Sequence, residues 1–209
     1  MKPTAIITRP CYDLATNYLY YWTQLIINIA KTKGNKIYDL SKKKVTNKNF
    51  WSYLKQNPNI IIFNGHGSDQ TIYGHDNEIL IDTNNTKNLN NKIIYARSCS
   101  SGKYLAKHLV ENNQLDSFIG YDEEFVIRYD INSVMKPTKD KIASLFLKTT
   151  NLIPQSLLKG HTAKEAHEKG KKAMYDQLIN LMTLEDQTID NSHIMASLWH
   201  DIKHQVLIT

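Results

Sequence analysis

Two side chains in this sequence could share one piece of chemistry. His66 lies in NIIIFNGHGS (Asn59–Ser68), between Gly65 and Gly67, and Cys99 lies in KIIYARSCSSG (Lys92–Gly102), between Ser98 and Ser100. Each follows a short isoleucine-rich run that ends abruptly among small residues. Such runs, bounded by turn residues, read as buried strands of a parallel sheet, whose carboxyl ends form the ligand crevice. A histidine and a cysteine ending two of these strands would share one edge. The thiolate is the attacking form of cysteine, and an adjacent imidazole can take the thiol proton and pass it to a leaving amine. The small neighbours let a substrate backbone come close. The main-chain N–H groups of Gly67 and Cys99 could then receive a developing oxyanion. A helix expected to start near Ser101 would add its dipole to the thiolate.

The surrounding chain supplies elements to position the pair. Thr4–Thr8 reads as a first strand. Asp13 can cap a helix that carries Leu14, Tyr18, Trp22, Leu25 and Ile29 on one face. Gly34 stops that helix, Lys36–Leu40 reads as a second strand, and Asn47–Gln56 as a shorter helix with Phe50, Trp51 and Leu54 turned inward. Thr71–Tyr73 and Glu78–Ile81 form a small hairpin, with a polar loop at Asn84–Asn91, and Ser117–Tyr121 is a further strand ending at Asp122-Glu123-Glu124. Strand–helix alternation to this point predicts an α/β sheet with helices on both faces. The last third is helical. Lys139–Thr149, a helix opened by the capping box Thr162–Glu165, and Ser192–His204 with Ile194, Leu198, Trp199 and Ile202 inward precede a closing strand at Gln205–Ile208. One domain over 1–209 is the expected organisation.

The order apolar strand, His-Gly, spacer, apolar strand, small-x-Cys-x-x-Gly resembles the clan CD, caspase-like cysteine peptidases. Phe63–Gly67 (FNGHG) and Ser98–Gly102 (SCSSG) are most similar in style to the separase, CHAT and gingipain branch. The resemblance runs from Thr4 to about Phe125. It implies a caspase-like sandwich with a mostly parallel central sheet, a His66–Cys99 dyad, an oxyanion hole at Gly67 and Cys99, and no cofactor. In that clan the residue two before the cysteine lines the pocket for the substrate residue preceding the scissile bond, and here it is Arg97. A guanidinium in that wall favours an acidic substrate side chain. In the competing arrangement Arg97 pairs with Asp122 or Asp13, and Glu123 or Glu124 receives a basic residue. Asp13 and Arg9 lie in the first strand–helix loop, which also borders the pocket in the clan.

Composition narrows the remaining choices. The 209 residues are 41% hydrophobic and 22% charged, ordinary for a folded chain. Two cysteines, Cys11 and Cys99, offer no disulfide framework. The N-terminal residues lack a signal-peptide core and no run is long enough to span a membrane, so a reducing cytoplasm is expected. The net charge of +6 includes seven lysines between Lys31 and Lys48, which read better as a solvated surface than as a nucleic-acid groove. His75-Asp76 lacks the paired short spacing of a zinc site, and the histidines at 161, 167, 193, 200 and 204 read as surface residues. Val126–Pro137 is a candidate pocket flap. The expected activity is cysteine endopeptidase on a protein or peptide substrate, cutting after a charged residue. The alternative is a latent or non-cleaving caspase-like module opened by a regulatory partner protein.

Overall fold

The computed structural model describes residues 2–86, 88–112, 115–183 and 191–209. Its centre is a six-stranded sheet in the order β2-β1-β3-β6-β7-β8. Five strands are parallel: β1 (Thr4–Arg9), β2 (Lys36–Ser41), β3 (Ile60–Asn64), β6 (Ile93–Arg97) and β7 (Ser117–Tyr121). Strand β8 (Gln205–Ile208) closes one edge antiparallel to β7. A separate hairpin, β4 (Thr71–Tyr73) with β5 (Ile79–Asp82), lies between the His66 and Cys99 strands in sequence. The chain thus has an α/β architecture, a mostly parallel central sheet with helices around it and a helical C-terminal part.

Both sheet faces are covered, which is why the central strands are almost continuously apolar. On one face Ile6, Ile61, Phe63, Ile94 and Phe118 pack against Phe50 and Leu54 of α2 (Asn47–Leu54) and Leu105, Ala106 and Leu109 of α3 (Leu105–Glu111). On the other, Ile7, Ile60, Ile62, Tyr95 and Ile119 meet Ile26, Ile27 and Ala30 of α1 (Leu14–Thr32), Ile153 and Leu157 of α5 (Leu152–Leu158) and Ala163 and Ala166 of α6 (Ala163–Thr183). A third cluster joins α1, α4 (Lys141–Thr150), α6 and α7 (Ser192–His204) through Tyr18, Trp22, Phe146, Leu181 and Leu198. Strand β1 is flanked by β2 on one side and β3 on the other, so the strand order reverses there. This switch point opens a crevice between the ends of β1 and β3.

Several helix faces differ from the periodicity reading. In α1 the core takes Leu19, Trp22, Thr23, Ile26, Ile27 and Ala30, while Leu14, Leu25 and Ile29 are exposed. The helix is apolar around most of its circumference, so periodicity left its rotation undetermined. Trp199 and Met182 likewise face solvent. The capping box at the start of α6 is present, with Thr162 Oγ1 accepting from Glu165 N–H and Glu165 accepting from Thr162 N–H. The seven lysines between Lys31 and Lys48 are all exposed. Among the described residues no helix is long and apolar enough to cross a membrane.

Gly170 of α6 tests the packing. An added Cβ would lie 2.4 Å from Ile153 Cγ1 and 2.8 Å from its Cδ1. Gly170→Ala gains about 1 kcal/mol of helix propensity but overpacks a branched core side chain, at about 1–3 kcal/mol. The expected result is a lower urea midpoint; a higher one would show that Ile153 yields.

Candidate active site

Parallel register builds this site. Asn64 of β3 pairs with Arg97 of β6, and Gly65 N–H donates to Arg97 O at 3.2 Å. His66 and Cys99 therefore each lie two residues beyond a matched pair. The two turns touch: a Cβ on Gly67 would lie 2.9 Å from both Cys99 O and Ser98 Cβ, so no larger residue fits there without displacing the Cys99 backbone. Gly67 faces Ile72 across a bridge whose hydrogen bonds are made by its neighbours, Ser68 N–H to Thr71 O and Tyr73 N–H to His66 O. In an antiparallel pair that arrangement leaves the Gly67 N–H outside the ladder.

The crevice at the switch point brings in a third group. Asp13 is the N-cap of α1 and accepts from Thr16 N–H through Oδ1 at 2.8 Å, while its Oδ2 stands 2.5 Å from His66 Nε2. One carboxylate thus caps a helix and holds the imidazole. An ionised carboxylate can only accept, so Nε2 carries the proton and Nδ1 is left as the ring's base. Burial raises the Asp13 carboxyl, but the hydrogen bonds from His66 and Thr16 overrule it and hold it below its ordinary value. Tyr12 packs edge-on against both His66 and His75, with ring centroids 5.9 and 5.1 Å apart.

Cys99 is partly buried, and burial pushes its thiol up. The amides of Phe125 and of Cys99 itself oppose that rise, and the acids Glu124 and Asp201 add to it. The expected helix dipole is not in place. Residues 99–104 form successive turns, with Ser100 at φ 56°, and α3 starts only at Leu105. Gly102 permits these turns because a Cβ there would lie 2.7 Å from Val206 Cγ2 and 2.9 Å from the Tyr121 backbone.

Arg97 is the main correction. It is 0% exposed. Nε donates to Asn64 Oδ1 at 2.8 Å, while the terminal nitrogens donate to Asn151 Oδ1 and Thr23 Oγ1 at 2.7 Å each. Alternation along β6 sends this side chain to the α1 face, where three neutral acceptors take it. It pairs with neither Asp13 nor Asp122. Asp122 instead meets His204 at 2.8 Å, and Arg9 makes a two-pronged pair with Asp39 of β2.

A cleft of about 350 Å³ lies between the start of α1 and the segment after β7, lined by Leu14, Ala15, Tyr18, Phe125, Val126 and Ile127, with Glu124 and Tyr129 also on it. The start of the expected flap is thus one of its walls. His200 and His204 turn toward this segment rather than bulk water, with His200 Nε2 3.0 Å from Glu124 O. Sequence reasoning missed Asp201, which is fully buried on α7 with one oxygen bonded to Val126 N–H. An acid within the apolar stripe of Ile194, Leu198 and Ile202 was the available signal. Among the described residues no three His, Cys, Asp or Glu side chains cluster as metal ligands would.

The chain is similar in structure to a chain of the complex of Porphyromonas gingivalis RgpB pro- and mature domains, with a TM-score of 0.60 and 12% identity. The match covers 98% of this chain and 46% of that one, so this chain spans under half its length. At that identity the likeness establishes the fold. No family model matches the sequence, and no curated protein is detectably similar to it.

Three expectations follow. Asp13→Ala loses the cap, at about 1 kcal/mol, whereas Asp13→Asn keeps a capping oxygen and most of that stability. Because the folded Asp13 pKa lies below the unfolded value, its contribution is complete at neutral pH and fades as pH falls through the folded value. The difference between wild type and Asp13→Ala in denaturant melts should therefore shrink below about pH 4. Arg97→Met strands three buried acceptors and should cost roughly 3 kcal/mol or more; a variant as stable as wild type would show that the network is dispensable.

Proposed function

We propose that the chain is a cysteine endopeptidase in which Cys99 is the nucleophile and His66 its base. The observation that carries this reading is the in-register pairing at Asn64–Arg97, which brings the two turns into contact while Asp13 holds His66 Nε2. His66 takes the thiol proton through Nδ1 as Cys99 Sγ attacks the peptide carbonyl carbon. The carbonyl electrons move onto oxygen, toward the N–H groups of Gly67 and Cys99. Collapse expels the amine, which takes the proton from His66, and leaves a thioester that water hydrolyses with His66 again as base. Asp13 orients the imidazole and stabilises its charged form without touching the substrate. These steps need no cofactor.

The cleft between α1 and the segment after β7 is our candidate for the residue preceding the cut. Its walls are apolar and aromatic, and its one ionised group is Glu124. With Arg97 sealed in the core, this favours a substrate side chain with a long aliphatic stem and a positive head, lysine or arginine. The raised thiol of Cys99 favours a second reading, in which the chain is latent until a partner protein or the substrate itself rearranges the segment over it.

Fluorogenic peptides varied at the residue before the cut test both readings. Cleavage after Arg or Lys is expected, lost in Cys99→Ala and His66→Ala. Glu124→Gln should raise KM for those peptides by up to about fivefold, since one solvated ion pair is worth at most about 1 kcal/mol. Preferred cleavage after Asp or Glu would overturn the pocket assignment, and silence across the panel would favour latency.

A further inference from the structure

Helix α7 presents Ser197, His200, Asp201 and His204 on one face, at the i, i+3, i+4 and i+7 spacing of a helical stripe. All four engage the segment that leaves β7. Asp122 N–H donates to His204 O at 3.0 Å, and His200 meets Glu124 O. Val126 N–H donates to Asp201 Oδ1 at 2.9 Å, and Arg128 Nε donates to Ser197 Oγ at 2.8 Å. The contacted positions are 122, 124, 126 and 128, the period of two of an extended chain. The segment therefore lies as a strap along the helix. Its other edge is tied to the turn of the nucleophile: Ser100 N–H donates to Glu123 O at 2.8 Å, and the Phe125 amide faces the Cys99 thiol.

Asp201 is the costly member of this set. It is fully buried, its Oδ1 is used by Val126, and its Oδ2 has no partner among the described residues. A leucine at this place would simply continue the apolar face made by Ile194, Leu198 and Ile202. An unsatisfied polar group in the interior is destabilising, so what the acid adds is the acceptor at Val126.

We propose that Asp201 is the positioning residue that holds the Glu124–Ile127 wall against Cys99, and that substrate affinity and access to the thiol are set through it. Asp201 touches neither substrate nor sulfur; it acts through the strap. This rests on the reading of Cys99 as the reactive centre. Burial drives the Asp201 carboxyl well above its ordinary range, so asparagine, which is neutral and keeps the accepting oxygen, is its close replacement.

The test uses the full chain in a Cys11→Ser background, with Asp201→Asn and Asp201→Leu compared. Alkylation of Cys99 by iodoacetamide, followed by intact mass near neutral pH, reads access to the thiol without any peptide. Asp201→Leu should react about tenfold faster than Asp201→Asn, the scale of one lost buried hydrogen bond, since both variants lose the same charge and only Asn keeps the acceptor for Val126 N–H. In peptide turnover Asp201→Leu should raise KM with kcat nearly unchanged. Equal alkylation of Asp201→Asn and Asp201→Leu, or equal impairment by Asn and Leu, overturns the proposal. If Asp201→Leu does not fold, amide exchange of the parent decides: Val126 should be the slowest-exchanging amide between 122 and 128, and rapid exchange there sinks the idea. Absence of peptide turnover in the parent counts against the peptidase reading alone, because the alkylation and exchange outcomes stand without it.

Discussion

The geometry of the site depends on one buried cation. Arg97 enters the interior at the end of β6 without a carboxylate to meet it and distributes its N–H groups among Asn64, Asn151 and Thr23. Each acceptor belongs to a different part of the fold. Asn64 ends β3 and donates in turn to Thr8 O of β1 at 2.6 Å, Thr23 lies on α1, and Asn151 joins α4 to α5 while donating to Trp22 O. A guanidinium removed from water must be matched on several sides at once, and that demand leaves little freedom in how β1, β3, β6 and α1 meet. His66 and Cys99 stand two positions beyond the members of this polar layer, so its rigidity is passed directly to them.

The same arrangement explains the polarity of the site. With Arg97 spent in the core, the cleft between α1 and the segment after β7 is left to apolar and aromatic side chains and one acid, Glu124. Asp13 shows a similar economy with the opposite sign. Its two oxygens serve two structures, the first turn of α1 and the ring of His66, so the orientation of the imidazole is coupled to where that helix begins. The strand order reverses beside β1, and it is this reversal that puts the β1–α1 loop next to the end of β3.

Opposite Asp13 the site is bounded by a strap rather than by regular structure. Several of its backbone polar groups are met on one side by α7 and on the other by the turn after Cys99. Burial beneath this strap, together with two nearby acids, raises the thiol, while the main-chain amides of Phe125 and Cys99 work against that rise. The environment of the Cys99 thiol is therefore set by how this strap lies and not by a helix dipole.

Much of this protein was legible from local sequence. Isoleucine-rich runs broken by glycine, asparagine and proline located the strands, and the capping signals at Asp13 and Thr162 located two helix starts, because each is a short-range demand of backbone hydrogen bonding. The placement of His66 and Cys99 at neighbouring strand ends followed from those strands and the parallel rule. What the sequence left open is what depends on rotation and on distant partners. The face α1 turns inward was ambiguous because the helix is apolar nearly all round, and the role of Arg97 was misread because alternation in β6 names a face without naming what waits there. The pairing of Asp13 with His66, of Asp122 with His204 and of Asp201 with Val126 joins residues 53 to 82 positions apart. Local pattern therefore determined the elements and the placement of His66 and Cys99 at neighbouring strand ends, while the direction of each charged side chain was decided only by tertiary packing, since a buried charge or polar group goes wherever the folded interior can satisfy it.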